Sequence, residues 1–251
     1  MKAINPLSKL LALGLIFTLY SGCSDQSGIK DPLGRTLKSH TINYVDAPIV
    51  IDGKLTEAPW ESAATVGPFV FPWEVGNNEG TRAKLLWDDQ YLYVSFVCDD
   101  AHISAEHTER DSPVYRDDCV EVFTSPNPDQ LEKYFNLEMN ARAAHLDFFH
   151  PEGPGSKANW DPEILIATRF NGTLNDDSDS DQSWTLEVAI PFTAFAEVAK
   201  HTPPQDGDEW RLNLNRLGDK TNHELSQWSP GDPDNQGFHA PQFFGRVFFK
   251  K

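Results

Sequence analysis

Positive charge is scarce in this sequence: 21 Lys and Arg stand against 38 Asp and Glu, a formal net charge of −17. A surface this acidic repels nucleic acid and anionic membrane, which argues against DNA, RNA or polybasic lipid binding. What remains is a neutral ligand, a cation such as Ca²⁺, or simple solubility in a salty medium. Long apolar runs are missing too. The run Leu10 to Tyr20 is too short to span a bilayer. Long helical periodicity is nearly absent, so the reading turns to strands. Cysteine is limited to Cys23, Cys98 and Cys119. Cys98 shares strand parity with the apolar set Leu92, Val94 and Phe96, whereas Cys119 shares parity with Glu121. A Cys98–Cys119 disulfide and two buried free thiols both remain open.

The start of the chain has a function of its own. Met1, Lys2 and Lys9 precede the apolar run, and Ser21-Gly22 precede Cys23. A basic start, a short apolar stretch and a small-residue cleavage site predict a secretory signal over 1–22. A cysteine directly after Ser-Gly predicts a lipobox in which Cys23 is diacylated, with Tyr20 departing from the usual Leu. Residues 23–40 then read as a flexible tether, and 41–251 as one domain with enough length for a sizeable core. Removing 1–22 takes Lys2 and Lys9 and no acid, so the net charge moves from −17 to −19. The expected location is the cell envelope, at the outer membrane or cell surface, or the medium if the lipobox is unused. Membrane contact is expected through the lipid alone.

Short strand-like runs recur along the rest: Thr41–Ile51, Thr81–Trp87, Tyr91–Cys98, Cys119–Thr124, Tyr134–Asn140, Ala144–Phe149, Glu163–Phe170, Ser183–Ile190, Glu209–Leu217 and Gly245–Phe249. Asp88-Asp89-Gln90 reads as a tight hairpin connection. Only Glu57–Ala64 and Phe192–Lys200 look helical, each near a proline suited to a first turn. This spacing predicts an all-β fold, an antiparallel β-sandwich or jelly roll with one or two short helices. The acidic run Asn175–Asp181 reads as a solvated loop or a Ca²⁺ loop.

The segment Asp111–Phe123 carries the most chemistry. An acidic, Pro-broken loop with one aromatic, Tyr115, runs into a strand that places Val120 and Val122 on one face and Glu121 on the other. A packed Tyr beside a solvated edge-strand Glu accounts for this pattern. So does sugar recognition, in which the ring covers apolar C–H groups and the carboxylate accepts hydroxyls. Two further strands carry unusual polar faces. Asn136, Glu138 and Asn140 alternate with Phe135, Leu137 and Met139, and Arg211, Asn213 and Asn215 alternate with Leu212 and Leu214. Asn is depleted from strands, and its amide both donates to and accepts from a hydroxyl pair. Either an ordinary wet face or one polar sheet face built for polyols fits.

Several segments resemble one family in order and spacing: Ile51–Trp60, Leu86–Val94, Tyr115–Phe123, Trp210–Arg216 with Gln227-Trp228-Ser229-Pro230, and Phe238–Gly245. Together they look like the family 9 carbohydrate-binding modules, in the stand-alone secreted form, over roughly 45–251. The resemblance implies a β-sandwich that grips a terminal sugar of a polysaccharide or oligosaccharide between two aromatics. It puts Tyr115 and Phe238 where the family carries Trp, and matches Glu121 to the family's hydroxyl-binding Glu. Asn136 falls where the family carries Arg, and Asn213 and Asn215 share the polar face. It further implies structural Ca²⁺, for which Asp99, Asp100, Asp117 and Asp118 are the candidate turns. The expected protein is a non-catalytic monomer that supports glycan capture or breakdown.

Two other readings compete. A glycoside hydrolase would need facing carboxylates, for which Glu121 and Glu138 are the available pair. A haem-binding relative of the same sandwich would draw on Met139 and His145 or a Lys.

Overall fold

The computed structural model describes Met1 and residues 28–47, 49–73, 79–218 and 223–251. Cys23, residues 2–22 of the signal and residues 23–27 of the tether lie outside the described residues, whereas 28–40 are described, with Lys30 bridging to Thr36 and with Asp31 and Leu37 buried. Twelve strands follow in order: β1 (Ser39–Tyr44), β2 (Thr65–Val66), β3 (Thr81–Trp87), β4 (Tyr91–Asp99), β5 (Cys119–Ser125), β6 (Tyr134–Asn140), β7 (His145–His150), β8 (Leu165–Asn171), β9 (Ser183–Pro191), β10 (Glu209–Gly218), β11 (Glu224–Gln227) and β12 (Gly245–Lys250). One short helix, α1, spans Ala58–Ser62.

The strands hydrogen-bond in the order β7-β6-β5-β10-β12-β1-β3-β4-β9-β8, with β11 added on β10 and β2 on β3. β1 runs parallel to both of its neighbours, β12 and β3, and the other pairings are antiparallel. Around this seam the sheet curls on itself, and its two halves enclose one core. Leu92, Val94, Phe96, Leu186 and Val188 enter that core from one half, and Val120, Val122, Leu137, Met139, Leu212 and Leu214 from the other. Alternation on each strand therefore divides a core face from an outer face. The sandwich expected from sequence is the one found.

Trp87 sits where the halves meet, with Tyr44, Phe192 and Phe249 set edge-on around it at ring distances of 5.0, 6.4 and 5.3 Å. The Ile51–Trp60 segment is structural. Buried Glu187 accepts from Trp60 Nε1 at 2.7 Å and from the Asp52 and Gly53 amides at 3.0 and 2.6 Å. Gly53 has φ 81°, and a Cβ there would meet the Thr168 backbone at 2.9 Å, so only glycine fits. A close approach also explains Gly245, whose Cβ would strike Trp228 at 2.5 Å.

Two expectations need correction, and one open alternative is decided. The helix read over Phe192–Lys200 is a single 3-10 turn, Phe192–Phe195. Phe192 and Phe195 are both buried there, and residues three apart lie on one side of a 3-10 turn. β1 ends at Tyr44 rather than at Ile51, and β2 and β11 were not legible, being two and four residues long. The disulfide is not formed: Cys98 and Cys119 are buried free thiols.

Candidate functional site

The outer face of β7-β6-β5-β10 collects the polar residues that the sequence singled out. In β5–β6 pairing Glu121 stands opposite Glu138 and Phe123 opposite Asn136. In β10–β5 pairing Asn215 stands opposite Glu121 and Asn213 opposite Phe123. Register partners in an antiparallel pair share a face, so these side chains form one surface. His150 and Phe148 of β7 extend it, standing opposite Tyr134 and Asn136.

This face is not an ordinary wet one. Glu121, Asn136, Glu138, Asn213 and Asn215 are all buried, because loops fold over it from two ends. At one end Asp117 ties down the 106–107 backbone and Asn140, and Val114 packs with Cys119 and Leu146. At the other, Phe238 joins Phe123, Tyr134 and Phe244, with Trp73 packed against them. Glu121, Glu138, Asn136 and Asn215 lie between the two apolar clusters.

The polar groups form an ordered chain. Asn136 Nδ2 donates to Glu138 Oε1 at 2.8 Å, which leaves Asn136 Oδ1 to accept from His150 Nε2 at 2.7 Å. That bond fixes the His150 tautomer with its proton on Nε2. Asn215 Nδ2 donates to Glu121 Oε2 at 3.1 Å. Tyr134 stacks on His150 at 4.3 Å and shares a hydrogen bond of 2.9 Å with His239 Nδ1. Two buried acceptors on this face have no partner: Glu138 Oε2 and Asn215 Oδ1. Buried polar atoms are nearly always paired, so orphans point to a missing partner.

Burial, followed by the neighbouring Glu138 charge, pushes the Glu121 carboxyl well above the usual range. Burial pushes Glu138 up to about 7, against the opposing pull of Lys157. His150 and His239 are both pressed down to about 4, mainly by burial. Near neutral pH the histidines are uncharged and the carboxyl pair resists holding two negative charges.

The aromatic candidates occupy different settings. Tyr115 lies in a 3-10 turn, Val114–Arg116, and is 42% exposed, with the Arg116 guanidinium 5.9 Å from its ring. Phe238 is only 8% exposed. Trp73 lies 5.6 Å from Phe238 and covers it. Trp73 is anchored in turn by its Nε1 bond to Asp232 O at 2.8 Å. Asn213 spends both ends of its amide on the Ser229 backbone, at 3.0 and 2.9 Å, and so holds the loop that carries Phe238.

Tyr134, His150, His239, Trp73 and Lys157 escaped the sequence reading. Tyr134 shares parity with Asn136 and Glu138, and His150 with Phe148, so alternation alone could have added them. His239 is next to Phe238 in its motif. Trp73 and Lys157 arrive from distant segments with no local signal.

The four aspartates considered for Ca²⁺ have other tasks. Asp99 pairs with Arg82 at 3.3 Å, and Asp100 accepts from Arg216 and Trp184, each at 3.1 Å. Asp117 caps the 106–107 backbone, and Asp118 accepts from the Ser104 amide while burial pushes its carboxyl to about 8. Calcium takes six to eight oxygens. Among the described residues no three His, Cys, Asp or Glu side chains converge as a cation cage. Asp118 Oδ1 is buried without a partner among the described residues, and Met139, considered for haem, is packed wholly inside the core.

Comparison with known proteins places this arrangement. The chain is 25% identical over 221 residues to an endo-1,4-beta-xylanase C from Paenibacillus barcinonensis, covering 87% of this chain and 18% of that protein. It is 28% identical over 149 residues to an endo-1,4-beta-xylanase A from Thermoanaerobacterium saccharolyticum, covering 58% of this chain and 11% of that one. This chain thus spans less than a fifth of the length of these relatives. Among solved structures, a carbohydrate-binding protein from Bacteroides uniformis superposes with a TM-score of 0.72 at 22% identity, over 85% of this chain and 99% of that one. A family 9 module from Caldicellulosiruptor kristjanssonii in complex with cellotriose gives 0.58 at 18% identity, over 85% and 94%. These likenesses establish the fold. The sequence model of carbohydrate-binding family 9 matches residues 64–249, and the chain belongs to that family.

Proposed function

We propose that this protein captures the terminal sugar of a polysaccharide or oligosaccharide without cleaving it, tethered to the cell envelope by a lipid on Cys23. The observation that carries the reading is the buried polar row of Glu121, Glu138, Asn136 and Asn215 between two apolar clusters, with Glu138 Oε2 and Asn215 Oδ1 lacking partners. Sugar hydroxyls supply the missing donors. The exposed ring of Tyr115 covers the apolar face of the pyranose, and Phe238 with Trp73 walls the opposite end. Family members solved with cellotriose and with glucose, and relatives named as xylanases, favour a β-1,4-linked glucan or xylan terminus.

A non-catalytic role suits the carboxyl pair. A glycosidase sets its two carboxyls on either side of the scissile bond. Glu121 and Glu138 instead stand side by side on adjacent strands. A glycan array with the purified protein should give binding to β-1,4-linked ends, and reducing-sugar assays on the same glycans should show no release. Release that Glu138→Gln abolishes would establish the hydrolase instead.

A further inference from the structure

The floor of this face is rich in acceptors and short of donors. One N–H of each of the Asn136 and Asn215 amides is committed, to Glu138 Oε1 and Glu121 Oε2 respectively. What remains unpartnered is Glu138 Oε2 and Asn215 Oδ1, and each of these accepts. Among the described residues no Lys or Arg lies within ion-pair distance of Glu121 or Glu138. Lys157 is the cation whose field reaches Glu138, yet its ammonium lies 4.4 Å over the Phe148 ring and its side chain is exposed. Among the described residues Lys157 makes no hydrogen bond, so it can swing aside without losing one.

A neutral hydroxyl brings one donor to such a floor. A primary ammonium brings three donors and a positive charge, and charge-assisted bonds are about twice as strong as neutral ones. The net charge of −17 draws the same kind of ligand toward the protein.

We propose that the slot prefers a saccharide terminus bearing a primary ammonium, an amino sugar, whose N–H groups bond Glu138 Oε2 and the Glu121 carboxyl. The proposal rests on the sugar-capture reading above and names its ligand class.

The test uses three β-1,4-linked disaccharides that differ only at C2: cellobiose, the chitosan disaccharide, and its di-N-acetyl form. Each is titrated into the full chain by calorimetry at about pH 6, where a sugar amine is charged; Glu138, held at about 7, is largely protonated there, so pairing with the ammonium releases its proton. The chitosan disaccharide should bind about tenfold more tightly than cellobiose, and N-acetylation should erase that gain. Glu138→Gln should bring the ratio of the two constants to about one. Lys157→Met alters an exposed side chain and removes the competing cation, so it should widen the ratio even if the Glu138 variant does not fold. Cellobiose binding as tightly as the chitosan disaccharide would overturn the inference and leave sugar capture standing. So would a ratio unmoved by both variants. If none of the three binds, the inference fails, and failure of xylobiose in the same titration would sink sugar capture as well.

Discussion

Glu121 and Glu138 stand in register on neighbouring strands, both buried, and neither has a cationic partner within ion-pair distance among the described residues. A protein core does not keep two adjacent carboxyls without reason, since each loses hydration and repels the other. The arrangement costs stability, and a sugar bound as proposed would recover it.

That cost sets a pH dependence. Glu138 is raised to about 7 from an unfolded value of 4.5, so it binds its proton more tightly in the folded chain. Its contribution is therefore fully present below about 4.5 and is lost as pH rises through about 7. His150 and His239 run the other way. Held at about 4 against 6.5, they favour the fold above 6.5 and oppose it as pH falls through about 4. Between pH 6.5 and 8 the raised carboxyls dominate, and the melting temperature should fall. Glu138→Gln cannot ionise, so it should fall less and melt higher than the parent at pH 8. Parallel melting curves across pH 6 to 8 would show that Glu138 carries no such cost.

The two aromatics should separate under truncation. Tyr115 is exposed, so Tyr115→Ala should change stability by no more than about 0.5 kcal/mol while weakening sugar binding about tenfold. Phe238 is packed beneath Trp73, so Phe238→Ala should weaken binding and also cost about 3 kcal/mol of stability. Urea denaturation beside calorimetry reads both. Equal stability losses in the two variants would contradict the assignment.

Asn213 acts on the ligand through the loop. Asn213→Ala leaves the buried Ser229 N–H and C=O without their side-chain partner, a loss of about 1–3 kcal/mol. Binding should weaken with it, because Ser229 begins the loop that positions Phe238 and His239. Asn213→Ala with parental stability in urea would refute this role.

The anchor is tested by fractionation. Cys23→Ala should move the protein from the membrane fraction to the soluble fraction, and an unchanged distribution would refute lipidation.

Much of the fold was legible because strands alternate. Phe135, Leu137 and Met139 face the core as their parity indicates, and Cys98 joins Leu92, Val94 and Phe96 there. The same alternation placed Glu121, Asn136, Glu138 and Asn215 on one face. It could not show that this face is covered, since residues 228–244 are far from Glu121 and Glu138 in sequence and the adjacent segment 106–117 carries no local sign that it folds back over the strands. Trp73 illustrates the limit: its partners Phe238 and Asp232 lie about 160 residues downstream, and no local pattern links them. The 3-10 turn at Phe192 read as a helix because i, i+3 apolar spacing suits both, and only the core contacts of Phe195 decide between them.

The most direct test of sugar capture is calorimetric titration of one array-identified oligosaccharide into the parent and Tyr115→Ala proteins, with melting temperatures measured alongside. About a tenfold loss of affinity at unchanged melting temperature is the expected result. Equal affinity in the two proteins would place the sugar somewhere other than between Tyr115 and the Glu121–Glu138 pair.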